Sequence, residues 1–183
     1  MDIAFQYCIV IGQNIRGYDL KMLNTRLAFY GLPPLPRFQI VDTYIVAKKE
    51  FAFPSNSLKY INRFFGIKQK IENEGFMLWK KCMMGDKKAL NNMDEYCQGD
   101  VVATEDLYFK LRPYITGHPN LALYFDDVDS RCPNCGSEDL KNEGYYYTPA
   151  GKWASLRCVI CGSLSRSKNN ELSTNKKKSL KVN

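Results

Sequence analysis

Two short runs, CPNCG at 132–136 and CVICG at 158–162, constrain this chain more than any other feature. Each brings two thiols together in one tight turn, and 22 residues, Gly136 to Arg157, separate the two pairs. This spacing suits a tetrahedral Zn²⁺ to which each knuckle lends two thiolates, and glycine after the second cysteine lets the backbone turn sharply. An iron–sulfur site or four free thiols are the alternatives. Disulfides fit poorly, because paired CxxC motifs without a secretion signal indicate metal first. A module this small lacks the core to fold alone, so metal held by Cys132, Cys135, Cys158 and Cys161 would supply most of its folding energy. Cys8, Cys82 and Cys97 lie scattered outside it.

Between the knuckles, EGYYYTPAGKWASLR reads as strand, turn and strand. Tyr145, Tyr146, Tyr147 and Trp153 stand beside Lys152 and Arg157, a mixture that suits stacking on exposed bases and pairing with phosphates. The same alternation also suits aromatics that only fill a minimal core. Charge is unevenly spread. Residues 1–130 hold 16 Lys and Arg against 15 Asp and Glu, whereas 131–183 hold 10 against 4, which places most of the net +7 at one end. A near-neutral body with a basic end suggests contact with a polyanion, most simply nucleic acid, or else a solubilising tail. After Arg166, the stretch SKNNELSTNKKKSLKVN has too little apolar content to pack and is expected to be disordered. His118, the lone histidine, is read as structural.

The body reads as α/β. FQYCIVIGQ (5–13) is a continuous apolar run, as in a strand covered on both faces. YDLKMLNTRLAFY then spaces Leu20, Leu23, Leu27 and Tyr30 for a helix that Gly31 stops. RFQIVDTYIVA reads as a second strand, and SNSLKYINRFFG as a short helix capped at Ser55, Asn56 or Ser57 and closed by Gly66. From Ala89 to Leu111 a long helix is predicted, with Leu90, Met93, Cys97, Val101, Thr104, Leu107 and Leu111 as its apolar stripe and Pro113 beyond its end. Two strands are too few to bury a run as apolar as CIVIG. No apolar run approaches the roughly 18 residues that cross a membrane. The opening MDIAFQYCIVIG lacks a basic leader and a cleavage site, so a cytoplasmic protein with no membrane partner is expected.

Asp19 stands at the turn from the first strand into the first helix, and Asp100 lies on the long helix in YCQGDVVATEDLY. Tyr96, four residues earlier, projects from the same helical face as Asp100. Carboxylates bind divalent cations, and a phenol beside them can position water or a scissile phosphate. In order and separation these residues resemble a ribonuclease H-like 3′–5′ exonuclease of the DEDD type. The likeness is to the tyrosine-bearing (DEDDy) branch that includes the proofreading domains of family B polymerases and related phage nucleases. Gly12, Asn14, Tyr18 and Asp19 fit that family's second motif, and Tyr96 and Asp100 its third. The resemblance covers roughly residues 5–120. It implies that Asp19 and Asp100 hold Mg²⁺ or Mn²⁺, that Tyr96 orients the attacking water, and that Asn14 supports the loop or touches the substrate backbone. Asp42 is either a further catalytic acid or a structural one. Lys68 and Lys70 either contact phosphate or are solvated.

The family's first motif, Asp-x-Glu on an opening strand, has no counterpart here, since Asp2 is followed by Ile3 and Ala4. Missing ligands and missing strands together imply a partial ribonuclease H-like fold, with a partner chain or absent segment supplying the first strands, and negligible nuclease activity for this chain alone. The expected organisation is an exonuclease domain at 1–120, a linker at 121–130, a zinc ribbon at 131–166 and a basic tail at 167–183. The expected function is 3′–5′ exonuclease with nucleic-acid binding by the ribbon, through Tyr146, Lys152, Trp153 and Arg157 with Lys70 from the body. DNA ranks ahead of RNA as the ligand, and the compartment is the host cytoplasm if the chain is phage-encoded. A non-catalytic binding or complex-forming protein on a degenerate nuclease scaffold is the alternative, and a transcription-factor-like ribbon protein is weaker.

Overall fold

The computed structural model describes residues 9–67, 75–127 and 129–181. The chain divides into two compact units, Met1–Leu111 and Arg112–Asn183. Asp2, Cys8, Lys68 and Lys70 lie outside the described residues.

Unit 1 is mixed α/β. β1 (Ile9–Gly12) and β2 (Gln39–Asp42) pair in parallel, Ile9 against Gln39 through Gly12 against Asp42, and α1 (Asp19–Phe29) lies between them in sequence. Among the described residues these two strands form the whole sheet. The second strand is shorter than expected. It stops at Asp42, and α2 (Thr43–Glu50) begins at the next residue, with the Asp42 carboxylate accepting from Tyr44 N at 3.1 Å. Thr43, Ile45 and Val46 favour strand by their β-branching, but a capped helix end outweighs that weak preference.

α3 (Leu58–Phe64) starts on the Ser57 cap as expected. α4 (Phe76–Met83), FMLWKKCM, adds a helix beyond those expected, with Leu78 buried. α5 (Lys87–Leu111) begins two residues before the expected start, with Asp86 accepting from Lys88 N and Ala89 N at 2.9 and 3.1 Å. Its buried face is Ala89, Ala103, Leu107, Tyr108 and Leu111. Leu90, Cys97 and Val101 of the expected stripe face solvent instead. Val41, Val46, Ala47, Ile61 and Leu107 form the centre of the unit's core.

Unit 2 is built on β3 (Leu140–Thr148), β4 (Gly151–Cys158) and β5 (Leu164–Arg166), an antiparallel sheet in that order. The expected strand, turn and strand of EGYYYTPAGKWASLR is the β3–β4 hairpin. The segment 167–171, within the stretch expected to be disordered, pairs along the hairpin's edge. Ser167 N donates to Ala154 O at 2.9 Å and Glu171 N to Lys152 O at 2.7 Å, and α6 (Thr174–Ser179) follows on a Ser173 cap. Low apolar content argued against packing, but backbone pairing to a sheet edge needs no apolar side chain. No described helix is long and apolar enough to cross a membrane.

Candidate active site and candidate metal centre

In unit 1 the turn from β1 into α1 is tied down by Asp42. This acid is 4% exposed and accepts from Asn14 N at 2.8 Å and Arg16 N at 3.1 Å, besides Tyr44 N. Three backbone donors for one buried carboxylate make Asp42 the clamp of the turn, the structural side of the choice left open by the sequence. Asn14 adopts a left-handed φ of 57°, and its carbonyl accepts from Gly17 N and Tyr18 N, both at 3.0 Å. Asparagine tolerates that conformation better than most residues. The outcome is local geometry that delivers Asp19, exposed, as the first residue of α1.

Asp19 and Asp100 line a single groove of about 1050 Å³ between the β1–α1 side and the C-terminal half of α5. Ile11, Val101 and Phe109 give it an apolar wall, each of them exposed, at 38%, 70% and 49%. Glu105 adds a third carboxylate to the lining. Sequence reasoning passed over it, although it lies five residues after Asp100 on the same helix. Tyr96 is half-buried one turn before Asp100 but is not among the groove residues, and Asn14 sits in the turn rather than the groove.

Unit 2 brings the four cysteines together. Their sulfurs all lie within 4.8 Å of one another, with Cys132 and Cys161 3.6 Å apart and Cys135 and Cys158 3.5 Å apart. Such separations far exceed a disulfide bond. They approach the edge of about 3.8 Å that a ZnS₄ tetrahedron with 2.3 Å bonds requires. The donor set and its burial therefore fit zinc.

The two knuckles are copies of one design. Cys132 N donates to Ser137 O at 2.8 Å and Cys158 N to Ser163 O at 3.0 Å, while Gly136 N and Gly162 N return to Cys132 O and Cys158 O, both at 2.9 Å. Both glycines have φ of 75°, a conformation that residues with a Cβ rarely adopt. Arg131 and Arg157, each just before the first cysteine of its knuckle, donate to Gly136 O and Gly162 O at 3.0 and 2.9 Å. The signal was in the sequence as RCPNCGS and RCVICGS, a longer repeat than CxxCG. Arg157, expected among the phosphate contacts, is thus clamped to its own knuckle and paired with Glu143 at 2.6 Å. Burial raises the thiols of Cys132 and Cys135. Burial pushes Cys161 the same way, but hydrogen bonds with Ser163, Cys135 and Cys132 together outweigh it and bring that thiol down to about 7.

The remaining expected binding residues sort by sheet face. Tyr146 opposes Trp153, and Tyr147 opposes Lys152. Lys152 Nζ stands 3.5 Å from the centre of the Tyr145 ring, and the Arg166 guanidinium 4.4 Å from that of Trp153. Arg166 was not picked out from the sequence.

Parallel strands flanked by helices, with acids from a strand end and a long helix sharing one groove, define a mixed α/β domain with an acid-lined candidate site. Residues 4–112, more than half of the chain, match the RNase_H_2 family of the RNase H superfamily, and the chain belongs to that family. An RNase H-like domain points to a nuclease or other nucleic-acid-related function. A comparison with curated proteins finds no match.

Proposed function

We propose that the chain works in a metal-dependent 3′–5′ exonuclease of the DEDD type, with Tyr96 as the tyrosine of the third motif. Unit 2 would hold zinc and add affinity for nucleic acid, DNA ahead of RNA. The observation that carries this reading is the single groove lined by Asp19 and Asp100 in a domain of the RNase H superfamily.

Asp19 and Asp100 offer the oxygen donors that a hard cation prefers, and such a cation keeps part of its water. Mg²⁺ or Mn²⁺ there would activate the attacking water and stabilise the leaving oxygen. Tyr96, one turn from Asp100, would orient that water through its phenol. Asp19, Asp100 and Glu105 do not come together as one ligand group among the described residues, so the reading includes strands, from a partner chain or a further segment, that bring further acids. Support comes from what is uncovered. α1 has no buried residue, with Met22, Leu23 and Phe29 exposed, and β1 pairs only with β2 among the described residues. An extended segment added beside β1 would cover Ile11 and fill the groove's apolar side.

The test is cleavage of 3′-labelled single strands with Mg²⁺ or Mn²⁺. Negligible cleavage is expected from the chain alone, and stepwise shortening from the 3′ end once strands carrying Asp-x-Glu are supplied. Robust Mg²⁺-dependent degradation by the chain alone refutes the need for completion, and an inactive completed protein refutes the exonuclease. A second reading, binding without catalysis, is favoured by one observation: among the described residues only the four cysteines form a group of three or more metal-ligating side chains. Retained nucleic-acid binding in an inactive completed protein selects it.

A further inference from the structure

The β3–β4 hairpin carries aromatic residues on both faces, and the two faces are not equivalent. Side chains alternate along a strand, and the register sets Tyr146 against Trp153 and Ser155 against Arg166. Tyr146, Trp153 and Arg166 therefore share one face, while Tyr145, Tyr147 and Lys152 share the other. On the first face the Tyr146 and Trp153 rings are 6.4 Å apart, and the Arg166 guanidinium lies 4.4 Å from the Trp153 ring centre and 5.8 Å from that of Tyr146. Trp153 lies so close over Gly151 that a Cβ there would collide with the indole. Tyr146 remains 49% exposed.

Arg166 also lines a cleft of about 410 Å³ beside β5, together with Ser167, Lys168, Arg131 and Asn120. No Asp or Glu is among its lining residues. Arg131 is already engaged by Asp127 and Glu138, but among the described residues neither Arg166 nor Lys168 is held in an ion pair. A pre-set aromatic surface and an anion-seeking cleft thus meet at one arginine. On the second face the lysine is already stacked on Tyr145.

We infer that this face binds an unpaired stretch of nucleic acid, with a base stacked on Trp153 and Tyr146 and the adjoining phosphate seated at Arg166 and Lys168. Stacking on a side chain needs a base whose own face is free, which single strands offer and a duplex conceals. Arginine both stacks and pairs with phosphate, so one residue serves both halves of the contact. This deepens the reading that the chain acts on nucleic acid and rests on it.

The experiment is fluorescence anisotropy with the zinc-loaded full chain and labelled single-stranded DNA, single-stranded RNA and blunt duplex DNA. Trp153→Ala is expected to weaken single-strand binding about tenfold, with Trp153→Phe restoring most of it. Arg166→Ala should lower affinity and flatten the salt dependence, and Tyr147→Ala should leave binding unchanged. Zinc content checks that each variant is folded, and Arg166→Ala keeps the test open if Trp153→Ala does not fold. Full affinity in zinc-loaded Trp153→Ala or Arg166→Ala, or duplex bound as tightly as single strands, overturns the inference while nucleic-acid binding stands. A wild-type chain that binds none of the three probes overturns both.

Discussion

The two units hold their candidate sites in opposite ways. In unit 2 every candidate ligand comes from the unit itself, and two copies of one hydrogen-bonded turn bring their sulfurs together. In unit 1 two acids from distant elements share a groove whose apolar side is open, and the helix that carries Asp19 has no buried residue. A centre made of local turns closes on its own. A centre assembled across a sheet is only as complete as the sheet.

Metal removal should break this contrast most forcefully. Cys158→Ser, or a chelator, is expected to unfold the β3–β4 hairpin, since structural zinc contributes roughly 10 kcal/mol or more to domains of this size. Loss of one bound zinc per chain by mass spectrometry, together with collapse of the tyrosine resonances of 145–147, is the readout. A hairpin that keeps its dispersion without metal sinks the idea that zinc holds unit 2 together.

Unit 1 should answer to a carboxylate that binds no metal. Asp42→Ala removes the acceptor of three backbone N–H groups in a buried setting and is expected to cost about 3 kcal/mol in urea unfolding. The loss should also free the turn that presents Asp19. Asp100→Asn should do the converse, leaving stability nearly intact. Activity of the completed enzyme would then fall by about 100-fold, the upper end of what even an outer partner of a metal ligand costs. If Asp100→Asn unfolds unit 1 as readily as Asp42→Ala does, Asp100 is structural and the groove loses its central acid.

The same contrast explains what could be read in the sequence. The cysteine centre was legible because its ligands recur at fixed local spacing, and RCxxCGS even encodes the arginine clamps. Asp19 and Asp100 were legible as a pair only through a family resemblance, since nothing local in YDLKML or QGDVV says that one groove will hold both. The stripe expected on α5 holds at Leu107 and Leu111 and fails at Leu90, Cys97 and Val101 for a related reason. Leu90, Cys97 and Val101 have the spacing of a buried face, but among the described residues nothing covers them, and Ala103, Leu107 and Leu111 bear the packing. Glu105 and Arg166 were missed because an acid on a long helix and a basic residue at a strand end are ordinary in sequence. Only the groove and the Trp153 ring give them a role.

The smallest expected effect sharpens the picture of unit 2. His118 is partly buried, and its Nδ1 lies 2.7 Å from Pro119 O, an oxygen that accepts from the ring N–H. Burial holds its pKa below the ordinary 6.5, helped by the charge of Arg112 and opposed by the Pro119 contact. The folded state therefore binds the proton less readily than the unfolded chain. Its contribution to stability is complete above 6.5 and erodes as pH falls through the lower folded value. Acid also competes with zinc for the thiolates, so falling pH should weaken unit 2 by two routes. Comparing zinc-loaded wild type with His118→Gln separates them, because the variant keeps the metal route and loses the histidine one. A shallower pH dependence of thermal unfolding is expected for His118→Gln between pH 7 and pH 5. Superimposable profiles would assign the whole acid response to the cysteine centre.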